Sequence, residues 1–304
     1  MRSYQLATIF ISVMLLLSAV PFTGLSEQNP PEDRGDGVLE TPGDWIIEAA
    51  DDVTYQDEEI IVNGNITVDG ILTLINCIVI MNSSYSTFNV LGELNIRDTN
   101  ISASEDLYYY FRIFGTLDLV NCHLTNMAGE KQLPYEGGLQ IHSDDISIDG
   151  GSITQSEFTG IYITKNIVLR NFSITNNIFN AVITGSSPQF HDCIVKNHDS
   201  ENIYLFNGSH PYLVDGDIGV YRFEEEENCA ISYAHKLSVH VAYENGSSIE
   251  GALITAESDR WNHTDQALTG SDGWMRNMIL PTETDFDGGG EDQLYKPYRI
   301  SAEK

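Results

Sequence analysis

The six residues LTLINC at 72–77 return as LDLVNC at 117–122, and five further segments share their pattern. Phrases of this kind begin at Gly70, Gly92, Gly115, Asp144, Lys165, Ser187 and His210. Paired apolar positions fall at 72/74, 94/96, 117/119, 146/148 and 167/169, with weaker pairs at 188/190 and 211/213. Two residues after each pair stands Asn76, Asp98, Asn121, Gly150, Asn171, Asp192 or Asp215, and three further on an aliphatic: Val79, Ile101, Leu124, Ile153, Ile174, Val195 or Ile218. The phrases start 21–23 residues apart, with one step of 29 that contains EKQLPYEGG (130–138), read as an inserted loop. A second alternating pair precedes each phrase, at Ile66/Val68, Phe88/Val90, Phe111/Ile113, Leu139/Ile141, Ile161/Ile163, Val182/Thr184 and Ile203/Leu205. An eighth, partial copy is expected because ENIYL (201–205) is echoed by ENCAI (227–231).

Each repeat thus predicts two or three short strands of period two, and no stretch beyond residue 26 keeps helical spacing for three turns. A unit this short cannot bury its apolar face alone, so the copies must stack. The recurring Asn or Asp then marks a tight corner, where a short polar side chain tolerates left-handed dihedrals and can bond the neighbouring rung. With these features, residues 60–233 resemble the right-handed parallel β-helix repeat proteins. The resemblance implies seven to eight coils, about 35 Å of stack at about 4.8 Å per rung. Residues 43–59 are expected to cap the first coil, with Trp45 covering its open end.

Beyond residue 233 the register stops, and alternating strands follow, separated by NG, DG and GGG turns. Val239 and Val241, Asn245-Gly246, Ile249-Glu250-Gly251-Ala252, Thr269 and Asp272-Gly273 give residues 234–304 a resemblance to the carboxypeptidase regulatory-like domain. That resemblance implies a small Ig-like or prealbumin-like β-sandwich serving as an accessory or spacer, here with a shortened end. The fold class expected for the whole chain is therefore all-β.

The formal charge of −30 on 304 residues argues against nucleic acid, whose phosphates would be repelled. Arg2, the apolar run from Leu6 to Val20 and the small residues after Pro21 predict a secretory signal over 1–26, too short to span a bilayer as a helix. Export to the cell exterior or surface follows, with a mature chain that does not span the membrane. Residues 27–42, rich in Pro, Gly and polar residues, are expected to be a flexible tether. Seven N-x-S/T sequons occur, at Asn65, Asn82, Asn100, Asn171, Asn207, Asn245 and Asn262. Asn65, Asn82, Asn100, Asn207, Asn245 and Asn262 are the candidate glycosylation acceptors.

Alternation also says which residues face outward. On the first sheet these are Thr67, Asn89, Arg112, Gln140, Tyr162, Ile183 and Tyr204, flanked by Tyr110, Phe114, His142 and Phe206. Tyr110, Arg112, Gln140, His142, Tyr162 and Tyr204 combine flat apolar surface with hydrogen-bond donors, a mixture suited to stacking on sugar rings. The same residues could instead lie beneath the inserted loop or the C-terminal domain. On the second sheet Asp118, Asp145 and Asp149 fall on adjacent rungs and are the foremost catalytic or Ca²⁺ candidates. The pair Asp144-Asp145 lacks the later His-Gly and Arg-x-Lys pieces of polygalacturonases. A calcium loop is the other metal candidate, through Asp285, Asp287, Glu291 and Asp292, although DFDGGGED (285–292) departs from EF-hand spacing. Two readings stand. One is a non-enzymatic surface or adhesion protein that binds extracellular glycans or other surface proteins, with no cofactor beyond calcium. The other is a polysaccharide lyase, hydrolase or epimerase on the same scaffold.

Four cysteines in an exported chain invite two disulfides, but the repeat forbids the obvious pair. Cys77 and Cys122 occupy one position on rungs one and three, with Thr99 between them. Two rungs span about 9.6 Å, beyond the roughly 7 Å Cα limit for a bridge. Four buried, free thiols are expected.

Overall fold

The computed structural model describes residues 30–129, 132, 135–197, 201–224, 228–260, 263–286 and 293–304. All described regular structure is β, and it winds into a solenoid of about 8 turns. The candidate signal sequence lies outside the described residues.

Three parallel faces make the solenoid. Face one is a nine-stranded sheet running from Trp45–Ile47 through Ile66–Val68, Ser86–Val90, Tyr109–Ile113 and Leu139–Ile141 to Thr159–Ile163, Phe179–Thr184, Glu201–Phe206 and Val220–Phe223. Face two begins Asp52–Gln56, Ile71–Ile75, Glu93–Arg97, and ends Gln189–His191, Tyr212–Val214, Ala230–His240. Face three begins Val38–Thr41, Glu59–Val62, Ile78–Met81, Asn100–Ala103. Thr116–Thr125 and Ile146–Thr154 serve both of the latter faces, bending partway along. The paired residues of the repeat line up rung on rung: Leu72, Leu94 and Leu117 form one inward column, Leu74, Ile96 and Leu119 the next. Phe88 and Phe111 stack at 4.6 Å inside face one. Apolar burial of this kind contributes about 25 cal/mol per Å² only where a neighbouring rung completes the contact, so stability is shared between coils.

Every corner residue between faces two and three takes the left-handed conformation: φ is 51° at Asn76, 51° at Asp98, 54° at Asn121, 77° at Gly150, 51° at Asn171, 54° at Asp192 and 51° at Asp215. The side chains bond down the column. Asn76 Nδ2 donates to Asp57 Oδ1 at 2.7 Å, and Asn121 Nδ2 to Asp98 Oδ1 at 3.3 Å. Alternating amides with carboxylates keeps like charges apart. Where the alternation fails, at Asp192 and Asp215, Lys236 reaches both carboxylates. The glycines that open three of the phrases have a steric reason. A Cβ on Gly115 would lie 2.0 Å from the carbonyl oxygen of Gly92, one rung below.

Three expectations need correction. Residues 38–41 are not tether: Val38–Thr41 pairs in parallel with Glu59–Val62 and in antiparallel with Glu32–Asp33, and the side chain of Thr41 is fully buried. Composition concealed this because the strand is only four residues long and flanked by Gly and Pro. On the seventh strand of face one, the inward residues are Ala181 and Ile183, with Val182 facing outward opposite Tyr162 and Tyr204. Three consecutive apolar residues make the parity ambiguous from sequence. ENIYL and ENCAI are not equivalent: Ile203 pairs with Tyr221 on face one, whereas Ala230–His240 belongs to face two.

Ala230–His240 carries the fold into its last part. It pairs in parallel with Tyr212–Val214 and in antiparallel, over most of its length, with Trp274–Phe286. A small three-stranded antiparallel sheet follows, with Leu253–Ser258 between Thr264–Leu268 and Tyr298–Glu303. Ile254 and Ala256 of that sheet share a second core with Met275, Met278 and Leu280. Thr269 ties the loop together, donating through Oγ1 to Ile249 O at 2.7 Å and accepting from Ala252 N at 2.9 Å. The expected start of this region, residue 234, falls inside the strand shared with the solenoid.

Candidate functional site

Register places Arg112, Gln140, Tyr162, Val182 and Tyr204 in one outward column of face one. The column is not uniformly open. Gln140, Tyr162 and Tyr204 are only 3%, 4% and 3% exposed. Tyr135, from the inserted loop, lies 5.4 Å edge-on from Tyr204, 4.7 Å from Phe179 and 6.4 Å from Phe206. Together with Tyr162 and Val182 these rings form a core on the outer side of the sheet. Burial pushes the Tyr162 and Tyr204 hydroxyls up to about 12. Three of the six expected contact residues are therefore buried, and two of them, Tyr162 and Tyr204, are committed to the cluster that holds the insertion down.

The other three remain accessible, and unforeseen neighbours join them. The Arg112 guanidinium sits 4.8 Å over the Tyr110 ring, and Tyr110 lies 6.2 Å from Tyr85. Phe114 and His142 stack at 4.9 Å, 12° from parallel. Tyr85, Phe114 and Leu91 are 51%, 50% and 55% exposed. The result is a strip of rings crossing the whole width of face one over three rungs, with one guanidinium at its centre. Partial burial holds the His142 imidazole below its ordinary pKa, leaving it neutral at neutral pH. Tyr85 sits in a turn outside the period-two pattern, so alternation could not reveal it.

The face-two carboxylates do not converge. Asp118 lies opposite Ser147, and Asp149 opposite Val120, so they fall in different columns; Asp145 lies four residues before Asp149 on the same chain segment. Each has its own partner: Arg97 reaches Asp118 at 3.0 Å, the Thr116 hydroxyl donates to Asp145 at 2.8 Å, and Asn171 Nδ2 donates to Asp149 at 2.7 Å. They make corner and surface bonds on a flat face, with no facing pair across a cleft.

Of the calcium loop, Asp285 alone is described; Asp287, Glu291 and Asp292 lie outside the described residues. Asp285 pairs with Ile231 in register and accepts a hydrogen bond from the Tyr221 hydroxyl. Among the described residues no group of three His, Cys, Asp or Glu is placed to hold a metal ion. The sequons divide by the use of the amide nitrogen. Asn65, Asn82 and Asn207 donate Nδ2 to Asp44, Asn63 and Thr184. Asn100 and Asn245 are exposed and make no such donation among the described residues; Asn262 lies outside the described residues.

A feature with no sequence signature appears where the solenoid meets the C-terminal segment. A cleft of about 460 Å³ opens there, its floor on face two and its far wall on His263, Pro281, Phe286, Gln293 and Tyr295.

The architecture defines the class, a β-solenoid of about 8 turns with a small antiparallel sheet appended. Comparison of the chain with protein-family models, curated proteins and solved structures returned no match.

Proposed function

We propose that this chain is an exported, non-enzymatic surface protein whose solenoid is a rigid rod presenting a glycan-binding strip on face one. The observation that carries the reading is the run Tyr85, Tyr110, Arg112, Phe114 and His142, exposed or half-exposed on a flat sheet. Rings held by a rigid β-sheet offer stacking area to sugar faces at little entropic cost, and the guanidinium adds directional donors. The charge of −30 suits a soluble surface rod that resists self-association. Asn100 and Asn245 are the sequons we assign to glycosylation. We read the solenoid as right-handed, in keeping with the hand of parallel crossovers, and the C-terminal segment as a carboxypeptidase regulatory-like sandwich acting as a spacer.

A glycan array probed with the full chain, alongside a reducing-sugar release assay on the bound polymers, tests the reading. Retention on glycans without product release, abolished by Tyr110→Ala/Arg112→Ala, is expected. Release of sugars that is lost with Asp118→Ala or Asp149→Ala would replace it with the polysaccharide-active reading.

A further inference from the structure

We infer that face three around Asn100 is the resting surface of that residue's own N-linked glycan, whose neutral amino-sugar core lies along the sheet rather than out in solvent. This surface presupposes the assignment of Asn100 as a glycosylation acceptor and is independent of the face-one strip. Asn100 projects outward from the strand Asn100–Ala103, whose alternate residues Ile101 and Ala103 are buried. In register, Ile78 lies one rung below it and His123 one rung above. Ser102, the hydroxyl residue of the sequon, shares the outward side and pairs with Ile80. Ile78 is 44% exposed, an apolar side chain left open on the strand next to the acceptor. Adjacent strands lie about 4.8 Å apart, so its branched carbons reach the acetamido methyl and the apolar ring face of the first sugar.

The chemistry and the size of the patch select this occupant. One residue in five of the chain is charged. Yet on five consecutive rungs, from Ile78–Met81 to the face-three end of Val168–Ile174, no outward side chain of these strands is Asp, Glu, Lys or Arg. Isoleucine gives way along the stack to Thr125 and Ser152, with His123 Nδ1 and the Ser152 hydroxyl 2.8 Å apart. A neutral glycan covers such a surface without stripping water from an ion, and the hydroxyls exchange hydrogen bonds with it in both directions. Five rungs at about 4.8 Å, with two outward columns about 7 Å apart, make a patch of about 200 Å². A stable protein partner needs about 800 Å² on each side. A tethered oligosaccharide needs far less, because its covalent link holds it over the patch at high effective concentration. Asn245, the other assigned acceptor, stands in an exposed turn beside Glu244, where Ser247 donates to its side-chain oxygen, and it provides the contrast.

Secretion of the full chain from a host that attaches neutral high-mannose N-glycans tests the assignment, with peptide mass spectrometry reporting which acceptors are occupied. Asn100 and Asn245 are both expected to be occupied. Asn100→Gln should then lower the melting temperature by about 2–4 °C, the effect of re-exposing part of one isoleucine in a chain of this size, and Asn245→Gln should leave it unchanged. Produced without glycans, the parent and Asn100→Gln should melt together. Ile78→Ser should erase the difference between glycosylated and unglycosylated protein. Nuclear Overhauser contacts between the Ile78 methyls and the acetamido methyl of the first sugar are the direct readout. An occupied Asn100 with neither the melting increment nor these contacts would overturn the resting surface and leave the acceptor assignment standing. An empty Asn100 beside an occupied Asn245 would overturn the surface and the Asn100 assignment together. Two empty acceptors would overturn the glycosylation reading itself, and this surface with it.

Discussion

Replacing Asn121 by leucine tests the corner ladder directly. Asn121 sits at φ 54°, where the strand Thr116–Thr125 bends between faces two and three. Two terms are lost. A side chain with a Cβ pays roughly 1–2 kcal/mol in the left-handed region, a cost that asparagine lowers by local hydrogen bonding and leucine does not. The Nδ2 bond to Asp98, long at 3.3 Å and exposed, is placed at the low end of the usual scale. That end is about 0.5 kcal/mol. The sum is about 1.5–2.5 kcal/mol, a fall in melting temperature of about 5 °C for a cooperative unit of this size. Asn121→Gly separates the terms. It loses the same hydrogen bond but removes the conformational cost, so its stability should stay within about 0.5 kcal/mol of the parent. Thermal melting by circular dichroism of the three proteins, with amide exchange at Asp98, whose N–H bonds Val120 O across the same corner, provides the measurement. Equal melting temperatures for Asn121→Leu and Asn121→Gly would refute the argument, because the left-handed corner would then carry no penalty for a side chain.

Two further outcomes are expected. All four cysteines are buried and unbridged, and burial pushes the Cys122 and Cys193 thiols up to about 11, so alkylation should be slow in the folded protein and reach four thiols per chain after unfolding without reductant; fewer than four would mean that the rung assignment separating Cys77 from Cys122 is wrong. His142, His191 and His210 all have pKa values lowered chiefly by burial, so the folded state binds fewer protons than the unfolded one just below the unfolded value of about 6.5; their stabilisation is complete above that pH and lost as pH falls through the folded values, so the melting temperature should drop between about pH 7 and pH 5.5 and drop less in His210→Gln, whereas a flat profile in the parent would contradict it.

The amino-acid sequence alone determined the solenoid: its period, its inward columns, and the corner positions where Asn, Asp and Gly recur. These are local consequences of chain geometry repeated along the molecule, since each rung must present the same alternation to the next. Cys77, Thr99 and Cys122 could be placed in one column for that reason, and the Cys77 N–H does donate to the Thr99 hydroxyl on the rung above, at 3.1 Å. The pattern failed where it was locally ambiguous, at Ala181-Val182-Ile183, or too short to register, at Val38–Thr41. Which outward residues remain open to solvent was decided elsewhere. Tyr162 and Tyr204 point outward as alternation requires, yet Tyr135 covers them from an insertion whose landing place no periodicity specifies. The cleft is a still more distant product: Gln189, Tyr212, Ser232 and Thr284 share its floor because Ala230–His240 continues a parallel face and accepts an antiparallel partner from some 50 residues downstream. Alternation constrains a side chain to one face of its own strand; what then lies against that face depends on how distant segments pack, and only the tertiary structure settles it.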